Sequence, residues 1–537
     1  MLSYSQGRGY PLLEITIGEQ LRRTAERIGD SLAVVSCHQS CRLTWAELDA
    51  LADRVAQGLW SLGIRKNDRV GVWSSNCVEW VMLQMGCARA GAILVNINPA
   101  YRSHELRFTL RKSRMKALFL WRADARADYQ ALLREATDGQ SLELQHSIYF
   151  DSRGWQELLD ARGETSSDLQ PQDIANIQYT SGTTGLPKGV MLTHHNQVNN
   201  GLLLTRGMRY TEKDRICIPV PLYHCFGCVI GNMAALTSGA AMVFPNWTFD
   251  PRATLSTVQA EKCTSIYGVP AMFIAELGLP GFSSFDLSTL RTGMMAGAPC
   301  PVEIMKRVVG EMHCPQLTIG YGQTESTPVV TMSEVDDPLE LRVSTVGKAL
   351  PCTEMKIASV IDGSTLPVGE QGEVCARGYM VMKGYDDEPE ATARAIDADG
   401  WLHTGDLGVM CSDGYIHLTG RAKDMIIRGG ENIYPREIEE FLYTHSKVAE
   451  VQVVGLPNEC LGEVVLAWIR LRPGETATDG EIREFCKGKI AHFKIPEYIR
   501  FVDAFPTTVT GKVQKFKIRE QEIWERGLQA VAKTRTA

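Results

Sequence analysis

The chain has 537 residues, a formal net charge of −7 at pH 7 and a hydrophobic content of 44%. This length exceeds what one hydrophobic core supports, so two or more domains are expected. The acidic balance argues against a nucleic-acid-binding protein, and no apolar run approaches the roughly 18 residues of a membrane helix. The fifteen cysteines are odd in number and scattered, which favours free thiols in a reducing, cytoplasmic setting.

Helical and strand patterns alternate from the start of the chain. Thr44 and Glu47 have the spacing of a capping box, and apolar residues follow at helical intervals as far as Leu62. Residues 69–73 predict a buried strand. The alternation continues to about residue 340 and predicts an α/β fold with layered, largely parallel sheets.

The pattern changes in the last third of the chain. Residues 345–418 predict a β-rich subdomain, because short strands are separated by Gly and Asp turns. Residues 424–537 have the features of a small α+β unit: Pro435 opens a helix, and strands are predicted over residues 448–454 and 464–471. A domain boundary is therefore expected between residues 421 and 424.

The run from Tyr179 to Gly189 combines glycines, hydroxyl side chains and a lysine directly after a predicted strand. Glycines let the backbone approach a ligand, hydroxyl and N–H groups donate hydrogen bonds, and Lys188 adds positive charge. Thr193 has the position of an N-cap that opens the following helix. Pro187 and Gly189 separate this spacing from the common nucleotide-binding loop. The alternatives are a phosphate-binding loop of another type and a flexible, Ser- and Gly-rich surface loop.

The run closely resembles the signature loop of the adenylate-forming superfamily, which comprises acyl- and aryl-CoA ligases, peptide-synthetase adenylation domains and luciferases. Further stretches resemble the family in the same order, so the resemblance covers nearly the whole chain. It implies ATP, Mg²⁺ and coenzyme A as ligands, with a large N-terminal domain (1–421), a hinge (422–423) and a mobile C-terminal lid (424–537). The phosphate-binding residues that it implies are Thr180, Ser181, Gly182, Thr183, Thr184 and Lys188, of which Thr184 and Lys188 are also expected to be catalytic.

A second stretch, Tyr321 to Glu325, resembles the nucleotide motif of the family. The resemblance implies that Tyr321 stacks on adenine, Thr324 donates to the α-phosphate and Glu325 holds Mg²⁺. A hard carboxylate oxygen suits Mg²⁺, which commonly takes one or two protein carboxylates besides phosphate oxygens. Without this context, an aromatic residue and a glutamate in a loop are usually structural. The implied nucleotide-binding set also contains Gly297, Ala298, Pro299 and Gly322.

Three charged residues complete the implied nucleotide site. Asp406, in the run Trp401–Gly408, matches the position that accepts from both ribose hydroxyls, and Arg421 matches a second ribose contact. Lys512 matches the lysine that bridges the substrate carboxylate and the phosphate during adenylation. Each of these residues would otherwise be a solvated surface charge.

The resemblance also implies a moving lid. Lys423 matches the hinge position, and Gly429 and Gly430 lie in a segment that enters the site after the lid rotates. Gly430 would line the pantetheine channel, where any side chain would crowd the thiol. Two lid positions are therefore expected, one for adenylation and one for thioester formation.

His224 lies in Pro221–Gly227, a run that resembles the aromatic motif beside the acyl pocket of the family, and the resemblance implies a catalytic role for it together with Thr324, Glu325 and Lys512. The spacing of Cys225 and Cys228 also suits a zinc or redox pair, although no second ligand pair is evident. Amino-acid-adenylating domains place an Asp in this region to pair with the substrate ammonium; residues 215–248 contain none, which disfavours an α-amino substrate. The implied acyl pocket, whose members are alternatively ordinary core residues, contains His224, Tyr267, Gly268, Val269, Met272, Met294 and Val329.

The resulting hypothesis is an ATP-dependent acyl-CoA ligase that forms acyl-CoA through an acyl-adenylate and releases AMP and pyrophosphate. Residues 428–435 and 511–517 are most similar to medium-chain fatty acyl-CoA ligases. The alternatives are an enzyme that loads a separate acyl carrier protein, an aryl- or branched-acid ligase, a luciferase-like oxygenase and a regulatory protein without turnover. The hypothesis includes no cysteine nucleophile, no nucleic-acid partner and no integral membrane segment. The oligomeric state is open, with a homodimer as one alternative.

Overall fold

The computed structural model describes residues 1–163, 165, 168–180, 187–298, 300–421, 424–429, 431–508 and 513–533. Eight of the predicted site residues lie outside this set: Ser181, Gly182, Thr183, Thr184, Pro299, Lys423, Gly430 and Lys512. Among the described residues, no helix combines the length and the apolar character needed to cross a bilayer.

The first part of the chain alternates helices with short strands, as its sequence predicts. Its elements are β1 Tyr4–Gln6, α1 Ile17–Ile28, β2 Leu32–Ser36, β3 Cys41–Thr44, α2 Trp45–Ser61, β4 Arg69–Trp73, α3 Val78–Ala90, β5 Ile93–Ile97, α4 Ser103–Ser113, β6 Ala117–Leu120, β7 Ala123–Asp124, β8 Ala127–Asp128, α5 Tyr129–Thr137, β9 His146–Tyr149 and α6 Arg153–Asp160. The predicted capping box opens α2, since the amide of Glu47 donates to Thr44 and the Glu47 side chain accepts from the amide of Thr44.

The middle part continues the alternation and adds one π-helix. Its elements are β10 Ile174–Thr180, β11 Lys188–Thr193, α7 His194–Gly207, β12 Arg215–Cys217, the π-helix Phe226–Gly231, α8 Asn232–Ser238, β13 Ala241–Phe244, α9 Pro251–Glu261, β14 Ser265–Gly268, α10 Pro270–Leu277, a 3-10 turn Phe282–Ser284, β15 Thr292–Ala296, α11 Val302–Glu311, β16 Gln316–Gly322, a 3-10 turn Thr324–Ser326, β17 Val329–Met332 and α12 Leu339–Ser344.

The last part is richer in strands. Its elements are β18 Lys348–Ala349, β19 Thr353–Ala358, β20 Gln371–Gly378, β21 Gly384–Tyr385, α13 Pro389–Ala395, β22 Leu402–Met410, β23 Ile416–Arg421, β24 Ile426–Arg428, β25 Glu431–Ile433, α14 Pro435–Tyr443, β26 Val448–Asn458, β27 Gly462–Leu471, α15 Asp479–Cys486, a 3-10 turn His492–Lys494, β28 Tyr498–Phe501, α16 Lys515–Glu525 and α17 Gln529–Lys533.

Two mixed sheets form the layered part of the fold. One has seven strands in the order β21-β11-β10-β5-β4-β6-β9, and it is parallel from β10 to β9. The other has nine strands in the order β18-β17-β16-β15-β14-β12-β13-β2-β3, and it is parallel from β16 to β2. The predicted α/β class with layered, largely parallel sheets is confirmed.

Two further sheets follow in the last third of the chain. The antiparallel sheet β1-β19-β20-β22-β23 is the predicted β-rich subdomain, with β1 of the N-terminus added at its edge. Strands β24 to β28 form a separate five-stranded sheet, against which α14 and α15 pack through Ile438, Leu442 and Ile482. The predicted small α+β unit is therefore present.

Helix α3 lies in the core between the layers. All of its residues except Glu79 are buried, and it packs on β4 and β5 of the seven-stranded sheet. On its other side, Gln84 donates to the carbonyl of Cys228 (3.1 Å) and accepts from Asn232 of α8 (2.8 Å). Because an amide side chain within an apolar helix is costly unless paired, Gln84 helps to fix the two layers relative to each other.

The predicted motifs lie where parallel strands end. The glycine-rich loop follows β10, the segment with Gly297 and Ala298 follows β15, and the run that ends at Glu325 follows β16. Ligands of α/β proteins bind outside the carboxyl ends of parallel strands. The fold therefore places each of the three motifs at a strand end where a ligand is expected.

Candidate active site

Two predicted nucleotide-binding residues, Tyr321 and Arg421, meet at a third, Asp406. Tyr321, which is 8% exposed at the end of β16, donates through its hydroxyl to Asp406 Oδ2 at 2.9 Å. Arg421 Nε lies 2.8 Å from Asp406 Oδ1, because Asp406 and Arg421 are opposite each other on β22 and β23. Burial, and then the neighbouring carboxylate, raises the pKa of Tyr321 well above its usual value. The phenol therefore stays protonated and donates.

The charge of Arg421 is secured by the same carboxylate. Burial by itself lowers the pKa of Arg421, but the attraction of Asp406, together with that of Asp424 and Tyr321, outweighs it and the net shift is upward. An ionised carboxylate with two ordered donors is rigid, and its remaining lone pairs can accept from hydroxyl groups. The geometry suits the predicted ribose contact.

The side chains of Glu373 and His403 fix the strand segment before Asp406. The amide of Gly405 donates to Glu373 Oε1 at 2.9 Å, and Gly405 has a φ of 71°, which favours glycine. His403 contacts Glu373 Oε2 through Nδ1 (2.8 Å) and Asp397 through Nε2 (3.5 Å). Cys375 Sγ also lies 3.6 Å from His403 Nδ1, so the set contains metal-ligand types. Both ring nitrogens of His403 have carboxylate partners. A structural role therefore accounts for this cluster: His403 contacts Glu373, and Glu373 holds the amide of Gly405.

Glu325 and Lys188, predicted to contact Mg²⁺ and phosphate, meet at Tyr385. The Tyr385 hydroxyl donates to Glu325 Oε1 at 2.9 Å, and Lys188 Nζ lies 4.9 Å from the centroid of the Tyr385 ring. The carbonyl of Glu325 accepts from the amide of Met382 at 2.9 Å. Tyr385 was not predicted from the sequence. Its contacts depend on the pairing of β21 with β11, for which the sequence around Tyr385 gives no local signal.

The glycine-rich loop closes a β-hairpin. Thr180 at the end of β10 is opposite Lys188 at the start of β11, and Ser181, Gly182, Thr183 and Thr184 between them lie outside the described residues. Thr193 caps α7 as predicted, since its hydroxyl accepts from the amide of Asn196 at 3.0 Å. Strand β11, which was not predicted, lies between the loop and this helix. Lys188 is therefore held by strand pairing.

A buried ion pair supports the end of this hairpin. Asp386, 2% exposed, contacts Arg69 Nη2 through Oδ1 at 2.6 Å, and its amide donates to the carbonyl of Gly189 at 2.8 Å. Burial raises the pKa of Asp386, and Arg69 opposes that shift. Asp386 is a second residue that the sequence analysis missed. It links the strand after the loop, through Gly189, to Arg69 of β4.

The aromatic motif places His224 beside the nucleotide motif. Cys225 Sγ lies 3.6 Å from His224 Nδ1 and 3.7 Å from Thr324 Oγ1. The amide of Phe226 donates to His224 Nδ1 at 3.2 Å, so that nitrogen is an acceptor and the ring proton of the neutral imidazole is on Nε2. Thr324 is 7% exposed. The acyl and nucleotide motifs are therefore adjacent.

Cys225 and Cys228 are both buried free thiols. Burial raises the pKa of Cys225 to about 12, so its thiol stays protonated at neutral pH. Cys228 Sγ accepts from Gln178 at 3.3 Å and from Asn96 at 3.6 Å. These contacts give the two cysteines packing and hydrogen-bonding roles next to His224.

The predicted acyl-pocket residues form one apolar group around the π-helix. Tyr267, Val269, Met272, Met294 and Val329 are each at most 6% exposed and share a core cluster with Phe226. The rings of Phe226 and Tyr267 are 5.6 Å apart. A Cβ at Gly268 would lie 2.9 Å from the ring of Phe273, so this strand end has no room for a side chain. Apolar residues of this kind suit a hydrocarbon chain, and the acyl-pocket role of this group stays a prediction.

The segment predicted to lie against adenine joins the same region. Gly297 follows β15 with a φ of 82°, and a Cβ there would lie 3.3 Å from Val269 of the acyl group. Ala298 is half-buried, and Pro299 lies outside the described residues. Glycine adopts this left-handed backbone conformation without strain, so Gly297 allows the chain to turn directly after β15.

The lid residues are only partly described. Gly429 has a φ of 58° and its amide donates to the carbonyl of Leu461 at 2.7 Å. Lys423, Gly430 and Lys512 lie outside the described residues, so their predicted roles stay predictions.

The chain matches two family models in consecutive parts. Residues 21–386 match the model described as "AMP-binding enzyme", and residues 437–512 match "AMP-binding enzyme C-terminal domain".

Curated relatives match along most of their length. The putative acyl-CoA synthetase YngI of Bacillus subtilis (strain 168) is 47% identical over 538 residues, which cover 95% of this chain and 98% of the relative. The mitochondrial medium-chain acyl-CoA ligase ACSF2 of Bos taurus is 42% identical over 550 residues, covering 97% and 89%. Among solved structures, ATP-bound MatB from Rhodopseudomonas palustris superimposes with a TM-score of 0.85 at 29% identity, covering 95% of this chain and 99% of MatB.

Proposed function

The chain belongs to the family of AMP-binding enzymes, and on that basis we propose that it is an ATP-dependent acyl-CoA ligase for medium-chain fatty acids. One observation carries the proposal: the residues for ribose, triphosphate and acyl chain converge around Thr324. Tyr321 reaches Asp406, Glu325 and Lys188 each contact Tyr385, and Cys225 joins Thr324 to His224.

In the first half-reaction, an oxygen of the fatty acid carboxylate attacks the α-phosphorus of ATP. The bond to pyrophosphate breaks, and an acyl-adenylate forms. Both reactants are anionic, so cationic and hydrogen-bonding groups must reduce their repulsion. We assign this role to Lys188 and Thr324, with Thr184 of the loop and Lys512 of the lid as further donors.

The residues present fit Mg²⁺. Glu325 receives the Tyr385 hydrogen bond on Oε1, and within the described part of the chain no side chain or amide donates to Oε2, a hard carboxylate oxygen. One protein carboxylate together with phosphate oxygens is an ordinary Mg²⁺ environment. When bound, the ion would neutralise charge on the β- and γ-phosphates. Glu325 is the residue that would hold it.

In the second half-reaction, the sulfur of coenzyme A attacks the acyl carbon, and AMP leaves. We propose that the C-terminal unit (424–537) rotates about residues 422–423 between the two steps, so that Gly429 and Gly430 line the pantetheine channel. No step uses a protein nucleophile. The buried, protonated thiol of Cys225 next to the site is in keeping with that scheme.

The acyl group proposed for the substrate is a hydrocarbon chain of medium length. The apolar group of Tyr267, Val269, Met272 and Met294 favours a hydrocarbon chain, and one relative is named a medium-chain ligase. The compartment proposed is the cytoplasm, because all fifteen cysteines are free thiols. A homodimer stays a prediction, for which multi-angle light scattering is the test.

The test is mass spectrometry of the thioesters formed from a pooled panel of acids with Mg·ATP and coenzyme A. The panel spans short, medium, long, branched and aryl acids. A product series that peaks at medium chains supports the proposal. A peak at aryl or branched acids corrects the substrate class. AMP and pyrophosphate without any thioester would indicate a carrier protein as acceptor.

A further inference from the structure

Lys188 and Glu325 carry opposite charges, and the side chain of Tyr385 contacts both of them. Within the part of the chain that the structure describes, no ion pair joins Lys188 to Glu325. The lysine lies 4.9 Å from the ring centroid of Tyr385, and the carboxylate accepts from the hydroxyl of the same side chain at 2.9 Å. One residue therefore uses its ring for the cation and its oxygen for the anion.

We propose that Tyr385 is a positioning residue for the metal–triphosphate end of the site, an inference that rests on the proposed function. Its hydroxyl orients Glu325 for a divalent cation, and its ring holds Lys188 for the phosphates. It also prevents the two charged groups from pairing with each other. A direct ion pair would have to be broken before Mg·ATP could bind, and it would oppose binding by its own free energy.

Tyr385 is itself held by contacts on three sides. Its strand β21 pairs with β11, which begins at Lys188, with Val190 opposite Tyr385. The amide of Tyr385 donates to Thr392 Oγ1 at 2.9 Å, which ties it to α13. The amide of Asp386 donates to the carbonyl of Gly189 at 2.8 Å. The backbone of Tyr385 is thus fixed relative to the residue that follows Lys188.

The chemistry of a phenol suits this task. It donates a hydrogen bond to a carboxylate without neutralising its charge, whereas a lysine or arginine at the same place would compete with the metal ion. An aromatic ring attracts an ammonium group but releases it more readily than a carboxylate would. Tyr385 therefore holds both groups weakly enough for exchange with Mg·ATP.

The chain provides a matched control. Tyr415 donates to Asp337 Oδ1 at 2.5 Å, and Lys348 Nζ lies 4.2 Å from its ring centroid. It has the same combination of partners as Tyr385, and it precedes β23 at the end opposite Arg421. Loss of the Tyr415 hydroxyl should affect folding in a similar way but not the ligand.

The experiment compares Tyr385→Phe, Tyr385→Leu and Tyr415→Phe in the full chain. Pyrophosphate release with a medium-chain acid is measured against free Mg²⁺, and thioester formation is measured separately from synthetic acyl-adenylate and coenzyme A. We expect Tyr385→Phe to raise the Mg²⁺ needed for half-maximal release by about tenfold, since the lost hydrogen bond is to a charged group. Saturating Mg²⁺ should restore most of the rate. Thioester formation should stay within about twofold, because that step involves no triphosphate.

Tyr385→Leu removes both the hydroxyl and the ring, so we expect an additional rise in the KM for ATP. Equal Mg²⁺ dependence in Tyr385→Phe and Tyr415→Phe would overturn the role of the hydroxyl. Equal losses in both half-reactions would show that Tyr385 only supports the fold.

Calorimetric titration with Mg²⁺ and a non-hydrolysable ATP analogue tests the same inference without turnover. We expect weaker binding for Tyr385→Phe and unchanged binding for Tyr415→Phe; unchanged binding in both variants overturns the inference. A wild-type protein that binds the analogue but forms no thioester with any acid would contradict the proposed function and leave this titration valid. The two failures are therefore distinct.

Discussion

Replacing Asp406 with Asn tests the ribose assignment directly. Asp406 is 7% exposed, and its two oxygens accept from Tyr321 at 2.9 Å and lie 2.8 Å from Arg421 Nε. Asn preserves the shape but removes the charge and turns one acceptor into a donor. Any hydroxyl of the nucleotide that depends on the carboxylate then loses a charge-assisted hydrogen bond.

The magnitude follows from that bond. A hydrogen bond to a charged group contributes about 1.5–3 kcal/mol, which corresponds to a roughly 10- to 150-fold rise in the KM for ATP at about 1.4 kcal/mol per factor of ten. The effect on folding should be smaller. The Arg421 side chain is 33% exposed, so water can replace part of what it loses.

The assay is pyrophosphate release with ATP and with 2′-deoxy-ATP, in wild type and Asp406→Asn. If Asp406 binds the ribose, the wild type should prefer ATP and the variant should lose most of that preference. Asp337→Asn is the control, since Asp337 also accepts from a tyrosine, Tyr415, outside the candidate site. An equal penalty for both nucleotides in Asp406→Asn would refute the ribose contact and leave Asp406 as a structural partner of Arg421.

Three further outcomes follow from buried groups and from one glycine. Burial lowers the pKa of His194 to about 4, whereas a histidine of the unfolded chain titrates near 6.5. The contribution of the neutral, buried imidazole to stability is therefore fully present above pH 6.5. The free energy of unfolding should fall by about 3 kcal/mol as the pH drops from 6.5 to 4, whereas that of His194→Asn should depend less on pH. Both carboxyl oxygens of Glu276 are buried and have no hydrogen-bond partner among the described residues, and burial raises its pKa. Glu276→Leu should therefore stabilise the protein by about 1–3 kcal/mol, and the gain in thermal unfolding should grow as the pH rises; a pH-independent gain would contradict a neutral buried acid. At Gly322 a Cβ would lie 1.7 Å from the carbonyl oxygen of Pro328, so Gly322→Ala should abolish pyrophosphate release, while Gly310→Ala, with nothing within 4 Å, should not.

Local sequence patterns predicted much of the fold and the site. The capping box at Thr44, the strand over residues 69–73 and the N-cap at Thr193 depend on neighbours a few residues away, and all three are present. The motifs with Tyr321 and Asp406 were identified by resemblance, and the structure brings their side chains within hydrogen-bonding distance.

What the sequence did not reveal depends on pairing between distant segments. Tyr385 and Asp386 acquire their roles only because β21 lies next to β11, far apart in the chain. Strand β11 itself was missed between the loop and α7, because its few residues resemble a connection to the helix. The π-helix Phe226–Gly231 is likewise set by packing, since a Cβ at Gly227 would lie 2.3 Å from the carbonyl oxygen of Pro221. Local periodicity contains no information on such contacts.

The two carboxylates of the candidate site differ in a way that matches their proposed ligands. Each accepts from a phenol whose pKa is raised, first by burial and then by the carboxylate, so both phenols remain donors at neutral pH. Asp406 also pairs with Arg421, which is compatible with binding neutral ribose hydroxyls because they need an acceptor and not a net charge. Glu325 needs its charge available for the proposed cation, and among the described residues it has no ion-pair partner. A phenol orients it, and this difference in partners separates the carboxylate proposed to bind ribose from the one proposed to bind the metal ion.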